Sequence, residues 1–238
     1  MANFPFQRLQ TDLAALIQRT PAGSRLVSEP ELAKQLGVSR ATLREAMRTF
    51  ETQGLIRRRQ GAGTFVVGQV PIMDAGLEVL ESIDTMARRL NLAVTVSDLE
   101  IERVDADEKH ANGLGVAVGS CVTRVRRVMR ADTRPVAYLI DNLPEEILKV
   151  EDLPKEFDGS VLDFMRERGD DLRISRAAIS ATNATAEVAK ALEIQRGDVL
   201  LKFVSQIYAT EGKILDYTFS YFIPGYFNFH VVRRIGNS

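Results

Sequence analysis

The 238-residue chain is poor in the residues from which most catalytic and metal centres are built. It holds one cysteine, Cys121, and two histidines, His110 and His230, far apart in sequence. One thiol forms no internal disulfide, which suits a reducing compartment. Two separated histidines make no metal-ligand cluster. There is no H-E-x-x-H, C-x-x-C, G-x-S-x-G or phosphate-binding glycine loop. No apolar run approaches the roughly 18–20 residues of a membrane helix, and the start MANFPFQRLQTDL has no signal-peptide character. These absences point to a cytoplasmic protein with no cofactor, no metal and no membrane partner, and they make an enzyme the weaker reading. Cys121, in VAVGSCVTRV, is expected to pack as a small buried hydrophobe, His110 to be solvated, and His230 to satisfy a local hydrogen bond.

What is present is unevenly distributed. The formal net charge is −1, yet residues 1–67 hold ten Lys/Arg against five Asp/Glu, and the remainder is acidic. A basic third joined to an acidic remainder implies two domains with different partners.

Leu9, Leu13, Leu16 and Ile17 fall at helical spacing, and PAGSR ends that helix. In Ser28-Glu29-Pro30-Glu31, Ser28 and Glu31 have capping-box spacing, with Pro30 in the tolerant first turn. Gly37 closes that second helix. Ser39 then caps a third, whose apolar side is Leu43, Ala46, Met47 and Phe50. Arg40, Arg44 and Arg48 repeat every four residues on the other side, with Thr42 near the start. Two helices across a tight turn, the second led by Arg and Thr, make a helix-turn-helix. Such a helix enters the DNA major groove, where Arg pairs with guanine, Thr touches the thymine methyl, and later arginines hold phosphates. The basic strand ending in Arg57, Arg58 and Arg59, the turn Gln60-Gly61-Ala62-Gly63 and the strand Thr64–Val67 form a hairpin, read as a wing whose glycines let backbone approach DNA closely.

Residues 5–67, carried by SRLVSEPELAKQLGVSRATLREAMRTFETQGLIRRRQGAGTFV, resemble the winged helix of the GntR family of bacterial transcription regulators. The resemblance implies DNA contacts from Arg40, Thr42, Arg44 and the wing. Ser39, Arg48, Arg58, Gln60, Gly61 and Gly63 complete the expected DNA-binding set. One position departs: the family has S-E-R-E-L where this chain has Pro30, so one operator contact is expected to be lost or replaced.

Domain boundaries are expected at 1–68 for the winged helix, 69–77 for a linker and 78–238 for the larger domain. GLEVLESIDTMARRL reads as an amphipathic helix, with Leu77, Leu80, Asp84, Ala87 and Leu90 near one face. Seven β-rich segments follow (LEIERV, CVTRVRRVMR, VAYLIDNL, LRISRAAISAT, VLLKFVSQIYA, KILDYTFSYFI and FHVVRR), with helical stretches near 105–113, 160–168 and 184–192. Short turns such as ADTRP and TEGK imply hairpins, hence an α+β domain with one mainly antiparallel sheet.

This domain resembles the UTRA effector-sensing domain of the HutC-type branch, with a chorismate-lyase-like fold, through RVRRVMRADTRPVAYLIDNLP and ILDYTFSYF. The resemblance implies a ligand-facing role for Arg127, with Asp216 in place of a Glu. It also exposes departures: Met129 stands for a second Arg, Leu139 for a Glu and Phe222 for a Tyr. Relatives that bind sugar phosphates use a Ser/Thr-rich turn where Glu81 to Thr85 here include two acids. Strand alternation puts 127 and 129 on one face, and 216, 218, 220 and 222 on one face. The expected effector site is therefore Arg127, Met129, Leu139, Asp216, Thr218 and Phe222. It is short of a cation, a carboxylate and a hydroxyl, and suits a mainly apolar or singly charged metabolite anchored by Arg127 better than a sugar phosphate. The resulting expectation is a homodimeric regulator, a repressor, reading a pseudo-palindromic operator under control of a small-molecule effector. The competing readings are a chorismate-lyase-like enzyme with a DNA-binding appendage, in which Asp216 would be the acid/base, and an architectural DNA-binding protein whose second domain is a sealed core.

Overall fold

The computed structural model describes residues 4–59, 62–67, 73–157 and 159–233. The chain divides into two compact units, the second beginning at Met73.

The first unit holds α1 (Phe4–Arg19), α2 (Glu29–Gln35), α3 (Arg40–Thr52), β1 (Ile56–Arg59) and β2 (Gly63–Val66). The apolar side of each helix turns inward: Leu9, Leu13 and Ile17 from α1, Leu32 from α2, and Leu43, Ala46, Met47 and Phe50 from α3 form one core, closed by Ile56 and Val66 of the hairpin. The α2–turn–α3 arrangement and the antiparallel hairpin match the helix-turn-helix and wing expected from sequence. Ser39 caps α3 by accepting from the Thr42 backbone N–H at 3.1 Å. Replacing Ser39 by Ala is expected to lower the stability of this unit by about 1 kcal/mol, measurable by urea unfolding. Ser28 makes no side-chain cap bond to α2, contrary to the capping-box reading. Pro30 removes one of the two backbone donors such a cap would serve.

The second unit contains β3 (Met73–Gly76), α4 (Ile83–Arg89), β4 (Val94–Asp105), α5 (Glu108–Leu114), β5 (Cys121–Ala131), β6 (Arg134–Pro144), α6 (Val161–Arg168), β7 (Ile174–Asn183), α7 (Ala186–Ala191), β8 (Val199–Tyr208), β9 (Ile214–Phe222) and β10 (Phe227–His230). Six strands form one antiparallel sheet in the order β4-β5-β6-β9-β8-β7. The turns ADTRP and TEGK join β5 to β6 and β8 to β9 as hairpins. The three later helical stretches stand where the sequence places them, as α5, α6 and α7. Val161 and Met165 of α6 pack with Val125, Leu143, Leu148 and Leu215. Ala111 and Leu114 of α5 pack with Ala106 and Val122.

Three elements differ from the sequence reading. Met73–Gly76, assigned to the linker, is a strand that pairs in parallel with β10. The helix expected from Gly76 begins only at Ile83, where Ser82 accepts from the Thr85 N–H at 2.9 Å. Its buried side is Ile83, Met86 and Ala87, whereas Leu77, Val79 and Leu80 remain exposed. The last strand is Phe227–His230 and ends before the VVRR expected to continue it.

Candidate DNA-reading face and effector cavity

Arg40 opens α3 and stands exposed, as does Arg44 one turn on; Thr42 and Arg48 are half-buried. The Ser39 and Thr42 hydroxyls lie 2.8 Å apart. Arg48 has Glu45 at 3.8 Å. A residue the sequence reading took only for a helix start organises this face. Glu29 accepts from Arg44 Nε at 2.6 Å and has Arg58 Nε at 3.3 Å, so one carboxylate orients a helix arginine and a wing arginine together. Its spacing to either is too long for any local pattern to reveal.

The wing has a third rung: Arg25 bridges to Phe65, and the backbone of Gly23 and Leu26 bonds β2. Gly63 has φ +108°, and a Cβ there would lie 2.5 Å from Arg25 Nε. Gly63 thus lets Arg25 cross beneath the hairpin. Gln60 and Gly61, expected to reach DNA, lie outside the described residues.

In the second unit, register lines up one row of side chains across five strands: Arg127, Leu139, Ser220, Phe203 and Ile179. This face bounds a cleft of about 870 Å³, flanked by Leu80, Ile83 and Met86 near α4 and by Ser160, Leu162 and Arg166 near α6. This volume is not the sealed core between the 127 and 216 strands that would favour the architectural alternative. Arg127, Leu139, Asp216, Thr218 and Phe222 all line it. Met129 does not: it is fully buried on the same strand face, beyond the cavity wall. Phe222 packs edge-on with Phe203 at 5.1 Å and Phe229 at 4.9 Å, forming an aromatic wall.

The polar end differs from the expectation that Arg127 waits for the ligand. Arg127 is buried and already forms an ion pair with Asp141, a residue the sequence reading passed over. Asp141 also returns the carboxylate that Leu139 seemed to remove, because 139 and 141 share a strand face. Thr218 Oγ1 lies 3.1 Å from Asp141 and 2.9 Å from Asp216. Asp216 also accepts from the Asn142 N–H at 3.2 Å. Burial, then the neighbouring Asp141 charge, pushes the Asp216 carboxyl well above the usual carboxylate range, against the opposing pull of Thr218 and Arg127. Arg127 Nε is buried and meets no acceptor among the described residues. Gly159, at φ +96°, allows the backbone to pass over this arginine, since a Cβ would come within 2.9 Å of Arg127 Cδ.

The turn before α4 is also committed internally. Ser82 and Ser160 both donate to Asp163, at 2.5 and 2.8 Å, and Thr85 Oγ1 lies 3.4 Å from it. One carboxylate, Asp163, thus engages the hydroxyls of both Ser82 and Ser160.

The remaining singled-out residues sit outside these sites. His110 is not solvated as expected: its ring is edge-on to Phe219 at 5.9 Å, and Nδ1 lies 2.6 Å from Asp107. His230 lies 3.3 Å from Asp74. Cys121 is half-buried and receives Arg103 at 3.1 Å. Among the described residues no group of three His, Cys, Asp or Glu could hold a metal, and no helix is long and apolar enough to cross a membrane.

Comparison with known proteins agrees with both halves. Residues 6–66 match the bacterial regulatory proteins of the gntR family, and residues 89–228 match the UTRA domain. The chain is 30% identical to the HTH-type transcriptional repressor NagR of Bacillus subtilis, over 88% of this chain and 86% of that one. It is 31% identical to an HTH-type transcriptional regulator of Mycobacterium tuberculosis, over 90% and 79% of the two chains. In fold it is similar to the crystal structure of PhnF from Mycobacterium smegmatis, with a TM-score of 0.65 at 23% identity, covering 96% of this chain and all of that one. An enzyme with a DNA-binding appendage finds no support among these relatives, which are transcription regulators. The chain belongs to the GntR family of bacterial transcription regulators, in the HutC-type branch that joins a winged helix-turn-helix to a UTRA domain.

Proposed function

We propose that this regulator is a cytoplasmic repressor that binds a pseudo-palindromic operator as a homodimer and releases it when a small metabolite fills the cavity of its UTRA domain. The observation that carries this reading is the pairing, in one chain, of an exposed Arg40–Arg44 helix face with a large cavity whose polar end is already charge-balanced. The N-terminal turn of α3 reads base edges through Arg40 and Thr42, while Arg44, Arg48, Arg58 and the wing around Gly63 hold the backbone. The effector is mainly apolar or singly charged and is not a sugar phosphate: the aromatic wall favours an apolar body, and the turn at Ser82 is bound to Asp163. Control follows if the effector binds the two arrangements of the winged helices unequally.

The test is fluorescence anisotropy of the full chain on DNA from its own upstream intergenic region. Binding is expected to be sequence-specific and to weaken steeply with salt. Arg40→Ala is expected to lose about 1–3 kcal/mol, roughly 5- to 150-fold in affinity, together with discrimination at one base pair. Equal loss on specific and random DNA would show instead that Arg40 touches only phosphates.

A further inference from the structure

The Thr218 hydroxyl has one proton to give, yet it lies within hydrogen-bond reach of carboxyl oxygens on both Asp141 and Asp216. Both contacts are satisfied only if one carboxyl carries a proton and donates to Thr218. Charge balance asks for the same. Arg127 offsets one carboxylate, and a second ionised carboxylate in this buried end would stand uncompensated. Asp216 is the proton-bearing partner, because Asp141 is the one paired with Arg127. The unliganded site therefore stores one exchangeable positive charge, as a proton.

The rest of the lining extends this bias. Glu78, Glu81 and Asp84 line the cavity beside Arg166 and Arg173, so with Asp216 neutral four acids face three arginines among the described lining residues, Glu81 being paired with Arg89 at 3.0 Å. Taking the cavity as the effector site, we propose that the effector enters with a cationic amine, which takes the place of the proton between Asp141 and Asp216. The ammonium forms charge-assisted bonds to both carboxylates, the displaced proton leaves to solvent, and Arg127 keeps its pair. The apolar body of the ligand lies against Leu139, Phe203 and Phe222.

The test uses the full chain and three probes of similar shape: 2-phenylethylamine, 2-phenylethanol and 3-phenylpropanoate. Calorimetric titration in two buffers of different ionisation enthalpy counts the protons released. The amine is expected to bind at least about tenfold more tightly than either counterpart, with about one proton released. Its affinity should rise about tenfold per pH unit while Asp216 still holds its proton in the free protein. Asp216→Asn should abolish the proton release and weaken the amine while leaving the alcohol unchanged. Amine binding without proton release, tighter binding of the carboxylate, or no amine binding at millimolar concentration overturns the assignment. Ala177→Trp, at an exposed position lining the cavity, separates this from the underlying reading. A carboxylate probe that binds, shifts operator affinity and is lost in that variant would leave the effector cavity standing and remove only the cationic class.

Discussion

Replacing Arg127 by Met is expected to lower the stability of the C-terminal unit by about 3–5 kcal/mol. Met keeps an unbranched apolar stem but removes the charge that faces Asp141 in a site where both partners are more than nine-tenths buried. Asp141 is then left without its cation beside the protonated Asp216, and it must take up a proton or draw in water. The expected shift is on the order of 10 °C in the melting temperature of this unit, read by calorimetry. The double variant Arg127→Met, Asp141→Leu is expected to recover most of the loss, because removing both partners of a buried pair is close to neutral whereas removing one is not. A double variant as unstable as the single one would show that Arg127 acts by packing around Gly159 and Val96 and not through its charge.

Leu43→Ala is expected to lower the stability of the winged helix by about 2–5 kcal/mol. Leu43 has no exposed surface, and the core around it is drawn from all three helices and the hairpin. In a unit this small the cavity left behind consumes much of the available stability, so operator binding should fall with the folded fraction although Leu43 faces away from Arg40 and Arg44 on α3. The transition of the C-terminal unit should stay in place. Each variant therefore serves as the control for the other, and movement of both transitions by either change would show that the two units unfold together.

The winged helix was legible because its determinants are local. The spacing of Leu43, Ala46, Met47 and Phe50 places one side of α3 in the core, and that alone sends Arg40 and Arg44 to the surface. The sheet and its hairpins were legible for the same reason, through alternation and short turns. The errors fell where a distant partner decides. Leu77 and Leu80 have helical spacing with Ala87, but residues 73–76 are taken by backbone pairing with β10, more than 150 positions away, and Ser82 starts the helix late. Glu29 had no role of its own in the helix start Ser28–Glu31, and the fold makes it the acid between Arg44 and Arg58.

The chain's sequence by itself carried the family resemblance in its motifs and the two-domain plan in its uneven charge, and periodicity within single elements placed the exposed arginine face of α3 and the strand faces that line a cavity. Only the tertiary structure decided the charge state of that cavity. Arg127, Asp141 and Asp216 come from three strands, and their ionisation depends on burial and on mutual distance, neither of which a linear pattern contains. The single Arg read from sequence as a ligand anchor is, once folded, one member of a buried network with Asp141, Thr218 and Asp216, because a low-dielectric site does not tolerate an unmatched charge.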